Sequence, residues 1–150
     1  MLPLIGREDL AACERGRSRQ TVRSVLGGKA VGSYLGKVEV ARGAQQTDGE
    51  QSVKAVLLDR GATANCKPEL EIYADDVVCG HGSTAAEIDD DLLFYCRSRG
   101  IPEAEARAML IESFIGEALE KVEHEGLREA MAAIATEWLA AKPATKAKAG

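Results

Sequence analysis

Three short segments of this chain superpose glycine on glycine. Val38-Glu39-Val40-Ala41-Arg42-Gly43-Ala44 lies over Val56-Leu57-Leu58-Asp59-Arg60-Gly61-Ala62, and both lie over Val77-Val78-Cys79-Gly80-His81-Gly82-Ser83. Gly43, Gly61 and Gly82 stand 18 and 21 residues apart. Short apolar strands that each end in a glycine corner predict a stacked β-solenoid, in which a rung buries its strands only against neighbouring rungs. A small antiparallel sandwich has similar short strands and is the alternative at this point.

The phase of the repeat assigns environments. Cys79 takes the place of Val40 and Leu58, which predicts an inward side chain. His81 takes the place of Arg42 and Arg60, which predicts an outward one. Two residues an even number apart on one strand share a face. The two assignments therefore require a bulge or corner at Gly80 and Gly82 that swings His81 out.

Beyond residue 87 the pattern becomes helical. Asp89-Asp90-Asp91 opens a helix that ends at Arg97 and Arg99 before Gly100, an arrangement complementary to the helix dipole. Pro102 suits the first turn of the next helix, where Ile111, Ile115, Leu119 and Val122 form one stripe. Leu127, Met131, Ile134 and Trp138 mark a third helix after Gly126, with Trp138 expected in the core. Residues 1–19 carry no clear pattern. The lysine- and alanine-rich end is expected to be disordered.

Composition narrows the function. A 150-residue chain with 45% hydrophobic and 29% charged residues can bury a core. Its net charge of −5 argues against a general nucleic-acid binder. No apolar run approaches the roughly 20 residues that span a bilayer, and the segment Met1–Gly6 is too short and too weakly basic for a signal peptide. The expected location is the cytoplasm. There Cys13, Cys66, Cys79 and Cys96, widely spaced and without a Cys-x-x-Cys pair, are expected as reduced thiols.

Few residues carry candidate chemistry. Gly80-His81-Gly82-Ser83-Thr84 lacks the lysine of a phosphate-binding loop. Asp75-Asp76 suits a turn, Asp89-Asp90-Asp91 a helix start, and His124 a helix end near the dipole's negative pole. Cys66, Cys79, His81 and Cys96 could form a thiolate–imidazole metal site, but their spacing matches no standard zinc pattern. An exposed His81 two residues from Cys79 is the more plausible ligand pair.

The run from Lys67-Pro68-Glu69-Leu70-Glu71-Ile72-Tyr73-Ala74-Asp75-Asp76 through Val77-Val78-Cys79-Gly80-His81-Gly82 resembles the signature of the SufB/SufD family of iron–sulfur cluster assembly scaffold proteins, in its SufD form. The resemblance continues through Leu93-Phe94-Tyr95-Cys96-Arg97-Ser98-Arg99-Gly100-Ile101 and covers residues 20–141. It implies an α+β chain with a right-handed parallel β-helix over 20–86 and a C-terminal helical domain over 87–141. A poorly defined segment, 1–19, precedes them, and a disordered tail, 142–150, follows.

The resemblance further implies a scaffold without catalytic residues, not an enzyme, that pairs with a SufB-like subunit and docks a SufC-like ATPase. The iron–sulfur cluster is then held transiently within the complex, and no cofactor is bound stably by the isolated chain. Cys79 and His81 match the Cys-x-His positions implicated at the subunit interface, as metal contacts. Relative to the family the chain begins near the middle of the β-helix. An open strand edge there is expected to favour self-association. An independent Cys/His metal-binding module and a shortened remnant without assembly activity are the alternatives.

Overall fold

The computed structural model describes residues 4–141. Six strands come first: β1 (Leu4–Ala11), β2 (Arg17–Leu26), β3 (Val31–Val40), β4 (Asp48–Leu57), β5 (Thr63–Ile72) and β6 (Val78–Glu87). Three helices follow: α1 (Asp90–Ser98), α2 (Glu103–Leu119) and α3 (Glu125–Ala141). The strands alternate between two parallel sheets, ordered β1-β3-β5 and β2-β4-β6. Each successive pair of strands is one rung, so the architecture is β-helix-like and α+β. The antiparallel sandwich is excluded, because every pairing is parallel.

The rung repeat differs from the glycine interval. Arg17 pairs with Asp48 and Asp48 with Val78, so the repeating unit holds two strands and two turns. Gly43 and Gly61 fall in the turns that follow β3 and β4, in opposite sheets, while Gly82 lies inside β6. The first two segments are thus half a repeat apart, and the third is out of phase with both. A pair of apolar residues near a glycine occurs at either end of a strand, which is why the superposition misleads.

Among the described residues only the rung of β3 and β4 is covered on both sides, and the core of the strand region lies there. Burial alternates along β3 through Tyr34, Gly36, Val38 and Val40, and along β4 through Gly49, Gln51, Val53 and Ala55. Burying each valine contributes roughly 1.5–3 kcal/mol. Gly36 is demanded by its surroundings, since a Cβ there would stand 2.2 Å from the Tyr34 hydroxyl and 2.5 Å from Gln51 Nε2. Residues 4–11 lack a readable alternation, Arg7, Glu8 and Asp9 being consecutive, yet they form a strand because β3 supplies a complete parallel partner from Leu4↔Ser33 to Ala11↔Val40.

The helix signals hold at α1. The Asp89 side chain accepts from the Asp91 and Leu92 amides at 2.9 and 3.1 Å, and Gly100 follows the helix at φ +86°. On α2, Ile111 and Leu119 are buried, with Ile115 and the following Val122 half-buried. This helix leans on β2: Arg23 donates to Glu117 Oε2 and places its guanidinium 5.7 Å from the Phe114 ring centroid.

Two helical expectations are corrected. His124 stands at the start of α3, where its Nδ1 accepts from the Leu127 amide at 3.2 Å, because α2 stops at Leu119 and leaves His124 as the next helix's cap. Trp138 is 40% exposed and Ile134 67% exposed, so the third stripe is not core. Among the described residues α3 packs chiefly on α2, which leaves much of that stripe facing solvent. Among the described residues no helix is long and apolar enough to cross a membrane. The expected tail, 142–150, lies outside the described residues.

Candidate functional site

The site is built on β6, the last strand of its sheet. Register sets the faces: Cys79 pairs with Gly49, His81 with Gln51, Ser83 with Val53 and Ala85 with Ala55. Since Gly49, Gln51, Val53 and Ala55 are the buried positions of β4, their four partners present the same inward face. The pairing runs unbroken from Val78 to Glu87. There is no bulge at Gly80 or Gly82, and a Cβ at either would meet nothing within 4 Å.

His81 therefore does not lie on the outward stripe that the repeat phase suggests. It faces inward beside Cys79 and is exposed because, among the described residues, no strand pairs with β6 on its far side. The out-of-phase third segment is the source of the error. The inward reading of Cys79 agrees with the structure: the thiol is half-buried, 3.9 Å from the Thr47 carbonyl oxygen. It sits directly over Gly49, whose missing Cβ leaves it room.

Cys66 faces the same interior from the opposite sheet. It pairs with Tyr34, a buried position of β3, and burial pushes its thiol up from the ordinary range. Cys96 is on α1, an element that packs on α2, and does not join the others. Among the described residues no group of three or more His, Cys, Asp or Glu side chains is placed to hold a metal ion. Asp75 and Asp76 lie in the connection from β5 to β6, and Asp76 N–H donates to Gln45 Oε1 at 2.9 Å.

Beneath the site runs a polar ladder that sequence reasoning missed. Gln20 Nε2 donates to Asp9 Oδ2. Gln20 Oε1 accepts from the Tyr34 hydroxyl at 3.1 Å and from Gln51 Nε2 at 2.9 Å, and Gln51 Nε2 also donates to the Tyr34 hydroxyl at 2.9 Å. Gln51 is 1% exposed, and its Oε1 has no hydrogen-bond partner among the described residues. Gln20 and Gln51 are 31 residues apart, one full rung, and His81 occupies the same place one rung further. A polar residue recurring at that interval among apolar ones was the available signal, and it is visible only with the two-strand repeat.

The outer surface is different. Arg19 donates to Asp48 and holds its carboxyl below the usual carboxylate range, while Lys37 does the same for Glu71 from 2.8 Å. These are solvated pairs that decorate the strands and take no part in the interior.

The SUF system FeS cluster assembly family, SufBD core domain, matches residues 11–114. The chain is 41% identical over 112 residues to the iron–sulfur cluster assembly protein SufD of Escherichia coli, covering 75% of this chain and 26% of that protein. It is 42% identical over 118 residues to the chloroplastic protein ABCI7 of Arabidopsis thaliana, covering 77% and 24%. A SufBD family iron–sulfur cluster assembly protein of Synechocystis is 38% identical over 107 residues, with 71% and 24% covered. The chain thus spans about a quarter of the length of these relatives.

Proposed function

The chain belongs to the SufBD family of SUF-system iron–sulfur cluster assembly proteins, and from that premise we propose that it serves as a SufD-type scaffold subunit in the cytoplasm. It carries out no catalytic step of its own. It pairs with a SufB-like subunit through the open end of its β-helix and docks a SufC-like ATPase through its helices. The β-helix is right-handed, the hand that parallel crossover connections nearly always take. The nascent cluster is cargo of the complex and contacts this chain at His81 and Cys79.

One observation supports this reading above the others. Cys79 and His81 share the inward face of a strand that has no neighbour on its far side among the described residues, so another subunit's strand could close the stack over them. A thiol and an imidazole are both ligands that iron–sulfur clusters accept, and a cluster takes about four such donors in all. Two donors make half a site, and the partner subunit supplies the rest. An independent metal-binding module is disfavoured by the same count. The helical face offers Phe94, 72% exposed, and Ile134 as apolar contacts for the ATPase.

The test is coexpression with a SufB-like subunit and a SufC-like ATPase, followed by assay of iron and acid-labile sulfide in the purified complex. His81→Ala is expected to leave the chain folded, at a cost of no more than about 1.5 kcal/mol, and to reduce cluster content sharply. Cys79→Ala is expected to lower stability modestly, by about 1 kcal/mol or less, through a small void over Gly49. Full loading with His81→Ala removes the role assigned to the imidazole. Failure of the chain to co-purify with either protein identifies it as a remnant without assembly activity.

A further inference from the structure

We propose that Gln51 is a positioning residue for His81, its buried amide oxygen accepting a ring N–H of the imidazole and so fixing which nitrogen is left to bind. The idea deepens the reading of His81 as a cluster contact and rests on it for its use, though not for its geometry.

The direction of the ladder carries the argument. A carboxylate accepts and does not donate, so Asp9 at the base commits Gln20 Nε2 downward. The Gln20 carbonyl oxygen is then turned to the next rung, where it accepts from Gln51 Nε2 and the Tyr34 hydroxyl. With its amino group engaged on that side, the trigonal amide leaves Oε1 to find a donor elsewhere, and β6 flanks β4 on the side away from β2. Adjacent strands stand about 4.8 Å apart, and the residue paired with Gln51 there is His81.

An amide oxygen that is buried and unbonded is a costly group, worth satisfying with any donor in reach. Of the inward residues on β6, the one in register offers an aromatic N–H. Once that N–H is given to Gln51, the other ring nitrogen carries the lone pair. It is free to face the open end, the arrangement by which ligating histidines are usually held. Ser83, the next inward residue, is in register with Val53 and is the competing donor.

The experiment reads the tautomer directly on the metal-free chain by long-range proton–nitrogen NMR of the His81 ring, with no dependence on cluster loading. One tautomer is expected to dominate in the native chain. Gln51→Leu is expected to change the tautomer ratio by about tenfold, the worth of one buried hydrogen bond. Since Gln51→Leu also breaks the bonds to Gln20 and Tyr34, Asp9→Asn is the second variant. It lets the ladder reverse without touching its interior and is expected to raise the minor tautomer. A ratio unchanged in Asp9→Asn, or in a folded Gln51→Leu, overturns the proposal. A shifted tautomer together with full cluster loading in His81→Ala would leave this bond standing and defeat the cluster-contact reading instead.

Discussion

Arg23 Nη2 lies 2.9 Å from Glu117 Oε2 across 94 residues of sequence, joining β2 to the last turn of α2. Arg23 Nε reaches the same oxygen at 3.2 Å, and Lys54 Nζ approaches it at 3.4 Å. The Arg23 side chain is nearly buried, its stem covered and its guanidinium set beside Phe114.

Arg23→Ala is therefore expected to cost about 1.5–3 kcal/mol, the range for a hydrogen bond to a charged partner. Arg23→Lys is expected to recover only part of it, because an ammonium cannot reproduce the planar fork. Denaturant midpoints measure both. A midpoint unmoved by Arg23→Ala would mean that the apolar stripe of Ile111 and Leu119 alone holds α2 in place.

The same contact has a pH signature. Arg23's hydrogen bond, with help from Lys54, holds the Glu117 carboxyl below its ordinary range against the opposing effect of burial. A depressed carboxyl contributes stability that is present above its unfolded pKa and lost as pH falls through the folded one. The α2 contact is thus expected to weaken on acidification below the ordinary carboxylate range, and Glu117→Gln is expected to flatten that part of the stability profile. Thermal unfolding at stepped acid pH decides it: equal slopes for the two proteins would refute the assignment.

Gly36→Ala tests the interior. The added methyl would enter space held by the Tyr34 hydroxyl and the Gln51 amide, and overpacking of this kind costs about 1–3 kcal/mol. Tolerance of alanine without loss of melting temperature would show that the polar ladder is loosely held.

At the junction of β-helix and helices, Asp89→Ala removes the acceptor for two α1 amides. The expected loss is about 1 kcal/mol, seen as faster amide exchange in the first turn of α1. Unaltered exchange at Asp91 and Leu92 would mean that water replaces the cap at no cost.

Ile134→Asp separates docking from folding. The residue is 67% exposed on α3, so stability is expected to change by no more than about 0.5 kcal/mol, while co-purification of a SufC-like ATPase is expected to fail. A large loss of stability would place Ile134 in the fold's own packing.

The parts that were legible in the sequence share a physical basis. Helix α1 was readable because Asp89, Arg97 and Gly100 are local signals that act within one turn. The solenoid is legible because glycine turns and apolar strands recur, although the glycine interval spans one strand where the rung holds two. That mismatch puts His81 on the wrong face, since facing is decided by pairing with Gln51 and not by residues adjacent in the chain. Gln20, Gln51 and Tyr34 were invisible for the same reason: each is an unremarkable polar residue until the rungs are stacked. The exposure of Trp138 was equally out of reach, because an apolar stripe says that something should cover it and not whether this chain does.

The head-to-tail order of Asp9, Gln20 and Gln51 also constrains how this interior can change over evolutionary time. Every amide in the column points the way its neighbour dictates, so an exchange at one rung is compatible with function only when its neighbours are reoriented or exchanged to match. Positions 9, 20, 34 and 51 should accordingly drift as a set, with a hydrocarbon lining as the natural replacement for all of them at once and mixed combinations disfavoured.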